Sequence, residues 1–324
     1  KRSGLRLYSN HVADRPFSSL TFSICDAISD NGRNAYSTSQ SIYLCSNHRV
    51  YGARSAGSNL CKSQEVVCMN FLSLVGIELK KIKRSKIVLI LWIATCILWL
   101  PSIVNAGMNF EMQAEGISPE HNFFIQGFLG MSWFMFPASM VVSTVLLNMT
   151  ERNNKGILKM LSLPINTFRL CLAKFAVLFI VAILQIGMTV AVYYVAAAIA
   201  SQTQDYNFIL QPLFVLKEAG MILISAIPML AFFWGVLVCI QTPIFSIGIG
   251  LATIVPSVLI INTKIWFAYP VSYPFFVITA EYGKLARKLT TMQVELVPWI
   301  PVAVIMTIGC LLIACLGFGK TERR

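Results

Sequence analysis

The sequence predicts an all-α integral membrane protein, a bundle of six transmembrane helices preceded by an interfacial helix, and two observations carry that prediction. Apolar residues make up 56% of the 324 residues and charged residues only 12%, against roughly half and about a quarter in a soluble domain. The apolar residues also gather into long runs. A spanning helix needs about 20 mainly apolar residues, because the hydrocarbon core is about 30 Å thick and a helix rises about 1.5 Å per residue.

The first 68 residues differ from the rest. Lys1 to Cys68 is rich in Ser, Asn, Arg and Cys and has no sustained periodicity. From Met69 onward a short amphipathic stretch, a basic cluster and a long apolar run follow one another. Gln64, Glu65 and Val66 are encodable by codons that contain a bacterial ribosome-binding sequence shortly before the Met69 codon. The expected division is therefore a non-native or disordered leader over 1–68 and a transmembrane domain over 69–324.

Phe71 to Lys83 reads as an amphipathic helix, with Phe71, Leu72, Leu74, Val75, Leu79 and Ile82 on one stripe and Ser73, Lys80, Lys83 and Arg84 opposite. Such a helix lies in the membrane interface. At about 100° per residue Glu78 falls inside the apolar stripe, where a charge is costly without a partner. Lys81, one turn on, can supply an ion pair; a contact with a partner subunit is the alternative.

Six spans follow, at about 87–104, 124–147, 170–199, 219–240, 244–261 and 296–318. Lys80, Lys81, Lys83, Arg84 and Lys86 precede the first, and the loop after it holds Glu111, Glu115 and Glu120 with no Lys or Arg. The excess of basic residues on cytosolic loops places the N-terminus inside. Arg152, Lys155, Lys159 and Arg169 in the second loop, Asp205 in the third and Lys320, Arg323 and Arg324 at the end agree with both termini in the cytosol. The loop from Asn262 to Glu295 fits less well: it is expected outside yet carries Lys264, Lys284, Arg287 and Lys288, and its aromatic, proline-rich start suits a segment that dips into the membrane. The net charge of +12 is assigned to orientation and not to a nucleic-acid partner. Cys96, Cys171, Cys239, Cys310 and Cys315 lie within or against apolar segments and read as reduced packing residues.

The second cytosolic loop is the most informative. Asn153 or Asn154 can cap a short helix whose apolar face is Ile157, Leu158 and Leu161, and Pro164 ends it. A glutamate leading into a glycine, a Leu-rich turn, a proline and then a basic residue opening the third span, here Glu151, Gly156, Leu158, Leu161, Pro164 and Lys174, resembles the cytoplasmic coupling helix of ABC-2 type permeases. The Phe71 to Lys83 helix is similar to the interfacial connecting helix of that family. The resemblance covers Met69 to Arg324 and is closest to the small Gram-positive permeases for lantibiotic immunity and bacitracin-type peptide export. The chain departs from the family pattern at Ile157, where Thr or Ser is common, and at Asn153 and Asn154, where a second acidic residue is common.

The resemblance implies a bacterial plasma-membrane permease that exports an amphipathic substrate and works with an ABC ATPase dimer and a second permease copy or related permease. Glu151, Arg152 and Lys155 are then polar docking contacts, Leu158 and Leu161 the apolar anchor, Gly156 the point of close approach, and Pro164 the helix stop. No cofactor is expected on this chain, and ATP is expected on the partner. The sole phosphate-loop fragment, Gly319, Lys320 and Thr321, lacks the glycine five positions earlier, where Ala314 stands. No HExxH occurs, and the three histidines are His11, His48 and His121. Asn148, Met149 and Thr150 form a glycosylation triplet that faces the cytosol in this topology.

A secondary carrier is the rival reading, and it needs ionisable residues inside the membrane. Gln185 in the third span is the most central polar side chain, read either as a pathway residue or as a hydrogen bond between helices. A sensor or scaffold with no ATPase partner is the remaining class.

Overall fold

A computed structural model describes residues 71–111, 116–153, 167–240, 242–286 and 296–321, all within one compact unit, Ser63–Arg324. The expected leader, 1–68, lies outside the described residues. Among those described there are helices and no strand.

The interfacial helix α1 is Phe71–Arg84. The first span is α2 (Ile87–Val104), followed by the short α3 (Met108–Glu111). The second span is α4 (Pro119–Gly130), a π-helical turn over Met131–Met135, and α5 (Phe136–Asn153). The third is one helix, α6 (Thr167–Gln204). The fourth is α7 (Pro212–Ser225) with α8 (Ile227–Cys239), and the fifth is α9 (Pro243–Ala252) with α10 (Ile254–Ile260). Two 3-10 turns, Trp266–Ala268 and Pro270–Ser272, lead into α11 (Tyr273–Leu285), and α12 (Leu296–Thr321) carries the sixth span. Six helices are thus long and apolar enough to cross a membrane.

Proline explains where the spans are broken. A proline within a helix lacks the N–H that would bond the carbonyl four residues back and crowds that carbonyl. Pro228 acts on Ile224, beside the α7–α8 break, and Pro256 acts on Ala252, the last residue of α9. The π turn likewise falls just before Pro137. At the α9–α10 break the neighbouring Thr253 carbonyl accepts a 2.5 Å hydrogen bond from the Tyr269 hydroxyl, so a side chain satisfies a backbone acceptor beside the break.

The fourth span begins earlier than the apolar run suggests, at Pro212 instead of near 219. Lys217 and Glu218 interrupt the apolar run without interrupting the helix, which carries Lys217 on its exposed face and Glu218 on its buried one, 3.5 Å apart.

At 38 residues, α6 is about 57 Å long, well beyond the hydrocarbon thickness, and it packs against α1, α2, α4, α5, α7, α8 and α12. Its contacts run from α1 at one end of the bundle to the start of α7 at the other. Near its C-terminal end Tyr193 and Trp99 are fully buried among Phe123, Phe124 and Phe128, with ring centroids 4.4–6.4 Å apart. The Tyr193 hydroxyl donates to the Phe208 carbonyl and accepts the Leu210 N–H, both at 3.2 Å, which fixes the turn between the third and fourth spans.

Close approach in this cluster depends on Gly127. A β-carbon there would stand 2.4 Å from the buried Trp99 ring. Gly127→Ala is therefore expected to destabilise the protein by about 1–3 kcal/mol, read as a lowered melting temperature in detergent. Gly250 plays the same part between the fifth and second spans, where a β-carbon would meet Val141 at 2.6 Å.

The segment after the fifth span folds onto the bundle. Pro270, Val271 and Ser272 are buried, Trp266 stacks on Phe276 at 3.7 Å, and the Tyr273 hydroxyl donates to the Phe267 carbonyl. The helix that follows, α11, packs on α4, the π turn and α7. Irregular backbone held against protein is what a membrane-adjacent segment requires. Lys284, one of its unexpected basic residues, pairs with Glu281 at 2.9 Å; Arg287 and Lys288 lie outside the described residues.

Candidate functional site

The end of the bundle that carries α1 gathers most of the residues singled out by sequence. The apolar stripe of α1 divides in the structure. Leu74, Val75 and Ile82 are buried, whereas Phe71 and Leu72 stay exposed, Leu72 at 80%. The buried part packs on α6 and α2, and Phe71, Leu72 and Ile77 are the exposed apolar residues left to meet the membrane interface. Lys80 is exposed on the opposite face, as the periodicity predicts. Lys83 and Arg84 close the helix.

Glu78 is 3% exposed. Its carboxylate accepts a 2.8 Å hydrogen bond from the Lys81 ammonium, and the Lys174 ammonium of α6 lies 3.9 Å from its other oxygen. The Lys81 pair is the one the sequence anticipated. The Lys174 pair is not: the sequence reading places Lys174 only as the basic residue opening the third span, whereas the structure buries it at 5% exposure against the interfacial helix. The Lys174 ammonium also sits 6.0 Å from the centre of the Phe318 ring in α12, within cation–π range. Phe318 stacks on Trp234 of α8, whose indole N–H donates to the Cys171 sulfur of α6 at 3.3 Å. One charged joint thus ties α1 to α6 and, through aromatic rings, to the fourth and sixth spans. Leu147 and Asn148 of α5 complete the small void beside Glu78, so the second span reaches the same joint.

The coupling residues continue from there. Helix α5 runs through Thr150 to Asn153, so Glu151 and Arg152 belong to the last turn of the second span, and Asn153 is itself helical. Lys155, Gly156, Leu158, Leu161 and Pro164 fall in 154–166 and lie outside the described residues. Gly319, Lys320 and Thr321 form the last turn of α12.

Gln185 is fully buried in α6, and among the described residues neither atom of its amide has a hydrogen-bond partner. The interhelical bond expected of it is not made in this arrangement.

Residues 74–257 match the family model described as ABC-2 family transporter protein. The chain belongs to the ABC-2 transporter family. The match begins inside α1, passes through Glu78, the α5 end, Lys174 and Gln185, and ends in the fifth span. No curated protein and no solved structure matches the chain. As an ABC-2 protein it is a multi-pass membrane permease of an ABC transporter, the membrane part of a machine that generally works with an ABC ATPase.

Two features of this ABC-2 permease are not legible in its sequence. Glu218 of α7 and Glu281 of α11 are both buried, at 3% and 8% exposure, and are held by Lys217 and Lys284 on the surface. A partial signal existed in the basic residues of the 262–295 loop, which fit badly as free charges. At the end of the bundle away from α1, Glu120 of α4 accepts a hydrogen bond from the Tyr206 hydroxyl. That bond raises the Tyr206 phenol above its ordinary value.

Proposed function

We propose that this ABC-2 permease exports an amphipathic substrate, an antimicrobial peptide of the lantibiotic or bacitracin class, in immunity or resistance of a Gram-positive bacterium. Two permease chains, this one with a copy of itself or with a related permease, stand on an ATPase dimer. Both termini of the chain face the cytosol of the plasma membrane. ATP is bound and hydrolysed by the ATPase subunits.

The observation that supports this reading best is the Glu78 and Lys174 joint. Closure of the ATPase dimer displaces the 153–164 segment, the expected coupling helix between the second and third spans. Because α1, α5 and α6 meet at one buried charged contact, that displacement reaches the interfacial helix and the third span together. The long α6 then carries it to the opposite end, where Tyr193 holds the outer turn. Glu151, Arg152 and Lys155 make polar contacts with the ATPase, Leu158 and Leu161 fill its groove, Gly156 lets the backbones approach, and Pro164 ends the turn.

A buried amide without a partner costs about 1–3 kcal/mol, so Gln185 favours any state in which it gains one. That makes Gln185 an uncharged polar point of the pathway, with the buried charges Lys174 and Glu218 lying nearer the ends of their spans. Such a pathway suits an apolar or amphipathic cargo better than an ion.

Affinity purification of the tagged 69–324 protein from its native host in mild detergent tests the assembly. A stoichiometric ABC ATPase with ATP hydrolysis is expected; a lone protein without ATPase activity would overturn the proposal.

A further inference from the structure

A cavity of about 600 Å³ opens at the end of the bundle away from α1, between the start of α4, the turn after α6 and the start of α7. Its volume is that of a small-ligand site. Glu120, His121, Tyr206, Asn207, Gln211 and Phe214 supply its polar and aromatic walls, and Ile209 and Leu210 its apolar ones. The lining contains one carboxylate and neither Lys nor Arg. Asp205 and Glu111, both exposed, add negative charge close by in the chain.

The carboxylate is held in place. Glu120 Oε2 accepts the Tyr206 hydroxyl, and Tyr206 is itself packed edge-on to Phe110 and Phe208 at 5.3 and 5.2 Å. His121 Nδ1 is 2.7 Å from the Ser118 hydroxyl and 3.8 Å from Glu120 Oε1, and its ring meets Phe214 edge-on at 5.4 Å. A carboxylate offers about four acceptor positions, of which the Tyr206 hydroxyl, the Ser118 hydroxyl and the Glu120 backbone N–H take up to three. The site is thus a fixed anion with acceptor capacity left over, flanked by aromatic rings, whose faces attract cations.

We infer that this cavity binds a primary ammonium or guanidinium group carried on an apolar body, with Glu120 as the counter-ion and Tyr206 and Phe214 as the walls. The inference rests on the export reading for the identity of the carrier, a basic amphipathic peptide, and not for the site. An ammonium-bearing lipid headgroup has the same chemistry and is the other source.

The test uses the full chain in nanodiscs of phosphatidylglycerol, which has no ammonium group, with benzylamine as probe and neutral benzyl alcohol as control, read by saturation-transfer NMR. Benzylamine is expected to bind at least about tenfold more tightly than benzyl alcohol, and Glu120→Gln to remove that preference with an unchanged melting temperature. Tyr206→Phe, which keeps the ring and frees the carboxylate from its hydroxyl partner, is expected to retain the preference. Equal binding of the two probes to the wild type, or undiminished benzylamine binding to a folded Glu120→Gln protein, would overturn the site. Phosphatidylethanolamine in the disc that competes with benzylamine assigns the cation to lipid; absence of competition assigns it to a soluble or peptide cation, and both outcomes support the site. A protein that retains its ATPase but shows no preference loses this site and keeps the export reading, while preference without an ATPase partner does the reverse.

Discussion

Glu78→Leu is expected to lower the stability of the detergent-purified protein by about 3–5 kcal/mol, because it withdraws the carboxylate from a lysine that is itself buried. The Glu78 and Lys174 side chains are 5% and 6% exposed, so solvent screens little of the interaction. Lys81, with 30% of its side chain exposed, contributes a smaller share. Adding Lys174→Met to Glu78→Leu is expected to recover most of the loss, since an apolar pair of similar volume can replace a buried ion pair. Thermal melting of the two single variants and the double variant gives the coupling directly. A Glu78→Leu protein as stable as the wild type would show that the joint does not hold α1 to α6. If the joint also transmits motion, the double variant should be stable yet export poorly, which separates packing from coupling.

The second large effect concerns the turn between the second and third spans. Leu161→Asp is expected to abolish export while leaving membrane insertion intact. A carboxylate introduced into an apolar groove without a partner costs several kcal/mol, and about 3 kcal/mol corresponds to roughly a hundredfold loss of affinity. Co-purification of the ATPase should fall with export, and the amount of protein in the membrane fraction should not change. Wild-type export by a Leu161→Asp protein would remove the coupling role from this turn.

The two predictions probe opposite sides of one device. In the proposed mechanism Leu161 belongs to the surface that receives the ATPase stroke, and Glu78 and Lys174 to the contact that distributes it. A variant at Leu161 should separate the ATPase from the permease without altering the melting temperature. A variant at Glu78 should alter the melting temperature with the ATPase still attached. Observing the same pair of changes in both would mean that the turn and the joint are one folding unit.

Much of the architecture could be read from residue order because the bilayer imposes a length rule. The apolar runs had to become spans, whereas proline did not by itself tell where they break: Pro228 and Pro256 stand at breaks, while Pro101 and Pro301 lie inside continuous helices. The projection of Glu78 into an apolar stripe was legible from helical periodicity, and so was its neighbour Lys81, one turn away. The start of the fourth span was not, because Lys217 and Glu218 read as a boundary until Glu218 is seen on the buried face of the helix.

What the sequence determined by itself was therefore local and periodic: span number, the amphipathic helix, and the family that the loop between the second and third spans resembles. Only the tertiary structure decided which distant groups share a site. Lys174 became the partner of Glu78 because α1 packs on α6; Glu120 met Tyr206 because the turn after α6 lies beside the start of α4; and among the described residues the Gln185 amide has no hydrogen-bond partner. Periodicity reports which face of a helix is buried, but a pairing across helices depends on how they are placed, and no spacing along the chain encodes that placement.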